Sequence, residues 1–87
     1  GHHLMDGAKD IVADLVIESI REALGRAYLS IREYHRAAAE FEECVEIAPT
    51  NHYAYYCLGR AYRGMGDHEQ AERAFELARC LGSTLVG

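Results

Sequence analysis

The sequence predicts an all-α fold of antiparallel helical hairpins, arranged as a short α-solenoid of about four helices with an extended first helix. Three observations predict it. The pentapeptide at residues 24–28 returns unchanged at residues 58–62, 34 residues later. Apolar residues recur at helical spacing around each copy. Turn-forming glycine, proline and asparagine occur where two such helices have to be joined.

The internal repeat extends well beyond the pentapeptide. Residues 18–51 align with residues 52–85 without a gap, and nine aligned positions are identical. Ala37 matches Ala71, and Phe41 matches Phe75. Identities spread along a fixed period are typical of a chain that is built from repeated helical units.

Four helices follow from the apolar spacing and the turns. We place them near residues 8–31, 34–48, 52–64 and 68–81. Pro49 cannot continue the second helix, and Thr50 or Asn51 can cap the third. Asp67 is predicted to begin the fourth helix with a capping box. The turn at residues 32–33 offers poorer capping chemistry, so we expect packing to hold it.

A glycine lies inside the first helix of each repeat, as Gly25 and Gly59. Glycine in a helix interior costs roughly 1 kcal/mol relative to alanine. Close approach of the partner helix is the simplest reason for it. Phe41 and Phe75 are the bulky residues expected opposite these glycines, so that the helices of each hairpin interdigitate.

The pattern resembles the tetratricopeptide repeat, whose signature runs W-x2-L-G-x2-Y, then A-x3-F, then P. The first copy supplies Leu24, Gly25, Tyr28, Ala37, Phe41 and Pro49, with Arg21 in place of tryptophan. The second copy supplies Tyr55, Leu58, Gly59, Tyr62, Ala71 and Phe75, with Ser83 in place of proline. The resemblance covers residues 18–85 and implies two repeats of the helical-hairpin kind.

The chain accordingly divides into four parts. Residues 1–4 look like an expression-tag remnant, residues 5–17 form an N-terminal helical extension, and the repeats occupy residues 18–51 and 52–85. The extension is unusually apolar but shows no clean heptad from Val12 and Val16. It either folds back on its own repeats as a cap or contacts another chain.

Composition excludes several functions. We find no phosphate loop and no nucleophile motif, so no enzymatic activity is expected. The net charge of −5 argues against nucleic acid as a partner, and no apolar run is long enough to span a membrane. The three cysteines lack metal spacing, so neither a metal nor another cofactor is expected, and their odd count favours the cytoplasm. Cys44 is predicted to lie in the core, and Cys57 to be more open.

The resemblance implies a binding function, because the first helix of each repeat lines a concave surface in this family. On that surface we expect a peptide or partner helix to contact Arg26, Tyr53, Tyr56, Arg60 and Arg63. The arginines favour an acidic ligand, because a guanidinium can bind a carboxylate through two hydrogen bonds. The glutamates lie on the second helices, so the concave side should be the basic one. Alternatively, the arginines pair with neighbours such as Glu22, and the tyrosines merely cover the core.

Self-association as a homodimer or higher oligomer is the competing function. Repeat arrays need polar end caps. The last helix is more apolar than its counterpart one repeat earlier, so we expect this end to need cover. The predicted oligomer interface consists of Ile11, Leu15, Val16, Ala74, Leu77 and Leu81. A third alternative is that the chain is a fragment of a longer repeat protein.

Overall fold

Four α-helices make up the fold. The structure, a computed structural model, describes the backbone of residues 2–86 and the side chains of residues 11–83. The helices are α1 (His2–Ser30), α2 (Tyr34–Ile47), α3 (His52–Met65) and α4 (His68–Val86). No strand occurs within residues 2–86. The predicted all-α fold is confirmed, although α1 begins and α4 ends farther out than predicted. The predicted tag remnant at residues 1–4 lies outside the described side chains.

Capping side chains begin the two helices of the second repeat. The Asn51 side chain accepts a hydrogen bond from the Ala54 backbone N–H at 3.1 Å, which caps α3. Asp67 accepts one from the Gln70 backbone N–H at 3.2 Å, which caps α4. These contacts satisfy backbone donors that the first helical turn leaves without partners.

The two hairpin turns have the same geometry but different residues. In the second repeat, Gly66 adopts a left-handed φ of 84°, and the Asp67 N–H donates to the Tyr62 carbonyl at 2.9 Å. In the first repeat, Arg32 adopts a φ of 61°, and the Glu33 N–H donates to the Tyr28 carbonyl at the same distance. A left-handed residue with a side chain costs about 1–2 kcal/mol. No side chain caps α2, so packing must hold this turn, as predicted.

A glycine–phenylalanine contact closes each hairpin. A β-carbon on Gly25 would lie 2.7 Å from the Phe41 ring, and one on Gly59 would lie 2.7 Å from the Phe75 ring. No side chain fits at such distances. The missing side chains therefore allow α1 to approach α2 and α3 to approach α4, as the sequence predicts.

The core lies between the two hairpins. Successive helices pack against each other, and α1 also contacts α3. The buried apolar side chains come mainly from α2 and α3: Ala37, Ala38, Phe41, Cys44, Ala54, Cys57, Leu58, Ala61 and Ala74. Small residues dominate this set, which brings the helix backbones close together.

The N-terminal extension continues α1 without a break. Its described side chains, from Ile11 to Ile17, are exposed. The alternative that the extension folds back over its own repeats is therefore wrong, because an uninterrupted helix projects away from the hairpins.

The glycine contact leads to a stability prediction. We expect Gly59→Leu to lower the free energy of unfolding by about 3 kcal/mol or more, because the new side chain must displace Phe75. Gly82→Ala is the control, since a β-carbon there would meet only His52 at an ordinary 3.5 Å. Thermal unfolding followed by circular dichroism measures both. Equal melting temperatures for Gly59→Leu and the parent protein would contradict the packing described here.

Candidate functional site

The five predicted binding residues lie on one exposed surface, which we call the α1/α3 face: Arg26, Tyr53, Tyr56, Arg60 and Arg63. All five side chains are exposed. Those of α3 lie on the side of the helix away from Ala54 and Leu58, which are buried against α2. Helical periodicity therefore leaves the predicted binding residues of α3 accessible at the surface.

One half of the α1/α3 face surrounds a buried thiol. Burial raises the pKa of Cys57, while nearby Tyr53, Arg60 and Arg26 act in the opposite direction. The pKa of Tyr53 is raised, chiefly by its interaction with the Cys57 thiol, and Arg26 opposes this shift. Arg26 on α1 and Arg60 on α3 thus act electrostatically on the same group, which links the two helices across the face. The expectation that Cys57 is more open is wrong, because its side chain belongs to the core cluster and is fully buried.

The other half is built around the Phe75 ring. The Tyr56 ring lies 5.8 Å from the Phe75 ring, and the Arg63 guanidinium lies 5.4 Å from the centre of the same ring. Tyr53 and Tyr56 are 6.5 Å apart between ring centres, which connects the two halves. The sequence assigned Phe75 only to the hairpin core. Phe75 lies on the last helix of the described residues, so no later helix covers its ring there. That position could have indicated from the sequence that the ring is partly exposed.

A small cavity adjoins the arginines at the end of α3. Its volume is about 180 Å³, and its lining consists of Leu29, Tyr34, Arg60, Arg63 and Gly64. The Tyr34 ring occupies the space that a side chain on Gly64 would need. Leu29 is the first-repeat counterpart of Arg63 and was expected on this side, whereas Tyr34 was not singled out from the sequence, because it follows the turn between α1 and α2.

The ion pairs of the described residues lie elsewhere. Arg21 bridges Glu40 and Glu43 on α2, at 3.2 and 2.9 Å. The remaining pairs join Arg36 with Glu33, Arg73 with Glu69, and Arg79 with Glu76. Among residues 11–83, therefore, no ion pair involves an arginine of the α1/α3 face.

Glu22 was the alternative partner for these arginines. Its carboxylate instead accepts a hydrogen bond from the Asn51 side chain at 3.2 Å, and Glu18 accepts one from the same amide at 2.6 Å. Asn51 thereby ties the start of the second repeat to α1. The structure does not contain the Arg26–Glu22 pair that the sequence left open.

The residues of the predicted oligomer interface lie on two helices, and their pairing between two chains stays a prediction. Ile11, Leu15 and Val16 are exposed on α1, whereas Leu77 is exposed on α4 and Leu81 is partly buried. Ala74 is only 4% exposed because it packs into the core, so its assignment to an exposed interface is wrong.

The second repeat carries charged residues at two positions that are apolar in the first repeat. In the first repeat, Ala38 and Val45 pack in or against the core. Glu72 and Arg79 occupy the equivalent positions, and they line a surface cavity of about 430 Å³ with Phe75 and Glu76. The inference that this end lacks a polar cap stays a prediction: of the three residues on which it relied, Ala74 is buried in the core, Leu81 is partly buried and Leu77 is exposed.

The described residues offer no other kind of site. Residues 11–83 contain no cluster of three or more histidine, cysteine, aspartate or glutamate side chains that could hold a metal ion. No helix in the described part of the chain is both long enough and apolar enough to cross a membrane.

Comparison with known proteins places the repeats in a family. Sequence profiles described as tetratricopeptide repeat match residues 19–51 and residues 40–73. The chain is also similar to a TPR repeat-containing protein of Pseudomonas aeruginosa, with 29% identity over 82 residues that cover 93% of this chain and 78% of that protein. No solved structure matches the chain significantly.

The burial of two cysteines predicts their reactivity. Cys80 is exposed, whereas Cys44 and Cys57 are buried, and burial raises the pKa of Cys44 to about 11. At about pH 8 we expect a disulfide reagent to label Cys80 at least on the order of a hundredfold faster than the other two, because the thiolate is the reactive form. Concentrated guanidinium chloride should expose all three. Rapid labelling of two thiols in the native protein would contradict the described core.

Proposed function

The chain belongs to the tetratricopeptide repeat family, whose repeats are generally protein–protein interaction modules, and from this we propose that it binds a peptide or partner helix without catalysing a reaction. We place the ligand on the α1/α3 face, as the concave side of the two repeats. We further propose that the ligand carries carboxylates, either acidic side chains or a free C-terminus.

The arginines of the α1/α3 face are the observation that carries this proposal. Arg21, Arg36, Arg73 and Arg79 each form an ion pair with a glutamate. Arg26, Arg60 and Arg63 form none among the described residues, and neither does Arg32 in the turn after α1, although the chain has 14 acidic residues and a net charge of −5. A guanidinium can hold a carboxylate through two parallel hydrogen bonds. Arginines left unpaired in an acidic protein are therefore suited to an acidic ligand.

The aromatic rings supply the apolar part of the recognition. Tyr53, Tyr56 and Phe75 form a continuous row, with ring centres 6.5 and 5.8 Å apart. Tyrosine gives rigid contact area at little entropic cost, because its side chain has only two rotatable bonds. Arg63 already packs on Phe75 at 5.4 Å, which holds its guanidinium at the edge of this row. The ligand's apolar side chains would lie on the rings while its carboxylates meet the arginines.

The size of the adjoining cavity favours a peptide over a small molecule. Its volume of about 180 Å³ is below the roughly 300–1,000 Å³ that is typical of small-molecule sites. It suits one side chain or a terminal carboxylate of a ligand that extends along the rest of the face.

Charge reversal on the face tests the proposal. A library of peptides that vary in acidic content, with free or amidated C-termini, identifies the best binder. We expect Arg60→Glu to weaken binding of that peptide by more than tenfold, because the change replaces attraction to a carboxylate with repulsion. Fluorescence anisotropy measures the affinity, and added salt should weaken it.

Arg73→Glu is the matched control, because Arg73 is exposed on α4 and pairs only with Glu69. We expect this variant to bind the peptide like the parent protein, and both variants to keep the parent melting temperature to within a few degrees. The proposal fails if acidic peptides are not preferred, or if Arg73→Glu weakens binding as much as Arg60→Glu does.

A further inference from the structure

The same repeat positions are buried on α3 and exposed on α1. On α3, Ala54 is fully buried and Leu58 is 5% exposed, in the core that α2 and α3 share. One repeat earlier on α1, their counterparts are Ile20, which is 57% exposed, and Leu24, which is 36% exposed. The α1 helix therefore presents, uncovered, a surface that a packed helix covers elsewhere in the same chain.

These positions belong to a longer apolar row, which we call the α1 stripe: Ala13, Ile17, Ile20, Leu24, Ala27 and Ile31. Its spacing alternates between four and three residues, which is the a/d pattern of a helix that packs lengthwise against another. All six side chains are exposed, and none is charged. The stripe is about 27 Å long. The heptad register that would start from Val12 and Val16 lies beside the α1 stripe on the same helix.

Within the described residues, the chain's own elements do not cover the α1 stripe. No contact joins α1 with α4. A preceding repeat stacked in the usual way would need a turn at residues 14–17, the counterpart of the turn at residues 48–51. The α1 helix passes through residues 14–17 without a break, so that route to covering the stripe is closed.

The stripe is complementary in size to itself when two copies run antiparallel. In the register that centres on residue 22, Ile17 faces the partner's Ala27 and Ile31 faces the partner's Ala13. In the middle, Ile20 faces the partner's Leu24. Large residues thus meet small ones in the outer layers, which fills the interface evenly. A parallel pair would instead place alanine opposite alanine and leave gaps, because each residue faces its own copy.

We propose that two copies of this chain associate through their α1 stripes, antiparallel and about a two-fold axis near residue 22. Because of the two-fold axis, every contact between a residue of one copy and a residue of the other occurs twice, as a closed dimer requires. Arg21 lies beside the axis, and its charge is already engaged by Glu40 and Glu43. The α1 stripe and Arg26 of the α1/α3 face lie on different sides of α1, because the helical period turns Arg26 about 140° away from the middle of the stripe. Association therefore leaves both ligand-binding faces open, and it stands independently of the proposed peptide function.

Paired charge variants test the partner and the register together. Sedimentation equilibrium of the parent protein at about 100 μM should show a dimer. We expect Ile20→Glu and Leu24→Lys each to weaken self-association at least tenfold, because each buries two unpaired charges. An equimolar mixture should restore the dimer, since one central layer then joins the two opposite charges and the other remains apolar. Ile17→Glu mixed with Ala27→Lys is the second such pair, in case Leu24→Lys impairs folding.

A single-cysteine variant tests the orientation. In a Cys80→Ser background, Ala23→Cys should form an intermolecular disulfide under mild oxidation, because residue 23 lies beside its own copy only in the antiparallel pair. Ala39→Cys on α2 is the exposed control and should not cross-link. A monomeric parent protein at about 100 μM would overturn the proposal. So would a dimer that Leu77→Lys abolishes and Ile20→Glu leaves intact.

Discussion

Each hairpin depends on one phenylalanine that lies against a glycine of the preceding helix. With Gly25 and Gly59 as they are, the rings of Phe41 and Phe75 occupy the space where a β-carbon would stand. A glycine inside a helix costs about 1 kcal/mol, and burial of a phenylalanine contributes about 1.5–3 kcal/mol, so the exchange is favourable. It also draws the helix axes close, and for this reason small residues suffice for the core.

The position of a repeat in the array, more than the identity of its residues, decides which of its side chains are exposed. Phe41 is fully buried because α3 lies against it, whereas the identical Phe75 remains partly exposed. The exposed ring then takes up Tyr56 and Arg63 as neighbours. At the other end, Leu24 is exposed while its copy Leu58 is buried. The proposed dimer surface arises from this difference in neighbours, since Ile20 and Leu24 occupy positions that are buried as Ala54 and Leu58 one repeat later.

Charge is distributed according to the same geometry. The glutamates of α2 lie beside Arg21 and Tyr62, and the Tyr62 hydroxyl donates to Glu42 at 3.0 Å. Burial, assisted by that bond, raises the pKa of Tyr62 to about 12, so the hydroxyl remains a donor at physiological pH. The Asn51 amide meanwhile engages Glu18 and Glu22 on α1. Most acidic groups near the hairpin surfaces thus have partners within the chain, and among residues 11–83 none of them forms an ion pair with an arginine of the α1/α3 face.

The sequence by itself determined the helical repeat, its two glycine contacts, the cap at Asp67, and the exposure of the five residues of the α1/α3 face. For the cap of α3 it left Thr50 and Asn51 open. These features follow from local periodicity and turn chemistry, and the two repeats provide two copies of the same pattern. Only the tertiary structure decided that Cys57 and Ala74 are buried, that Phe75 joins the face, and that α1 is uninterrupted and uncovered along its stripe. The physical reason is that burial depends on which helix lies next to a position, and identical residues in two repeats do not reveal that their neighbours differ.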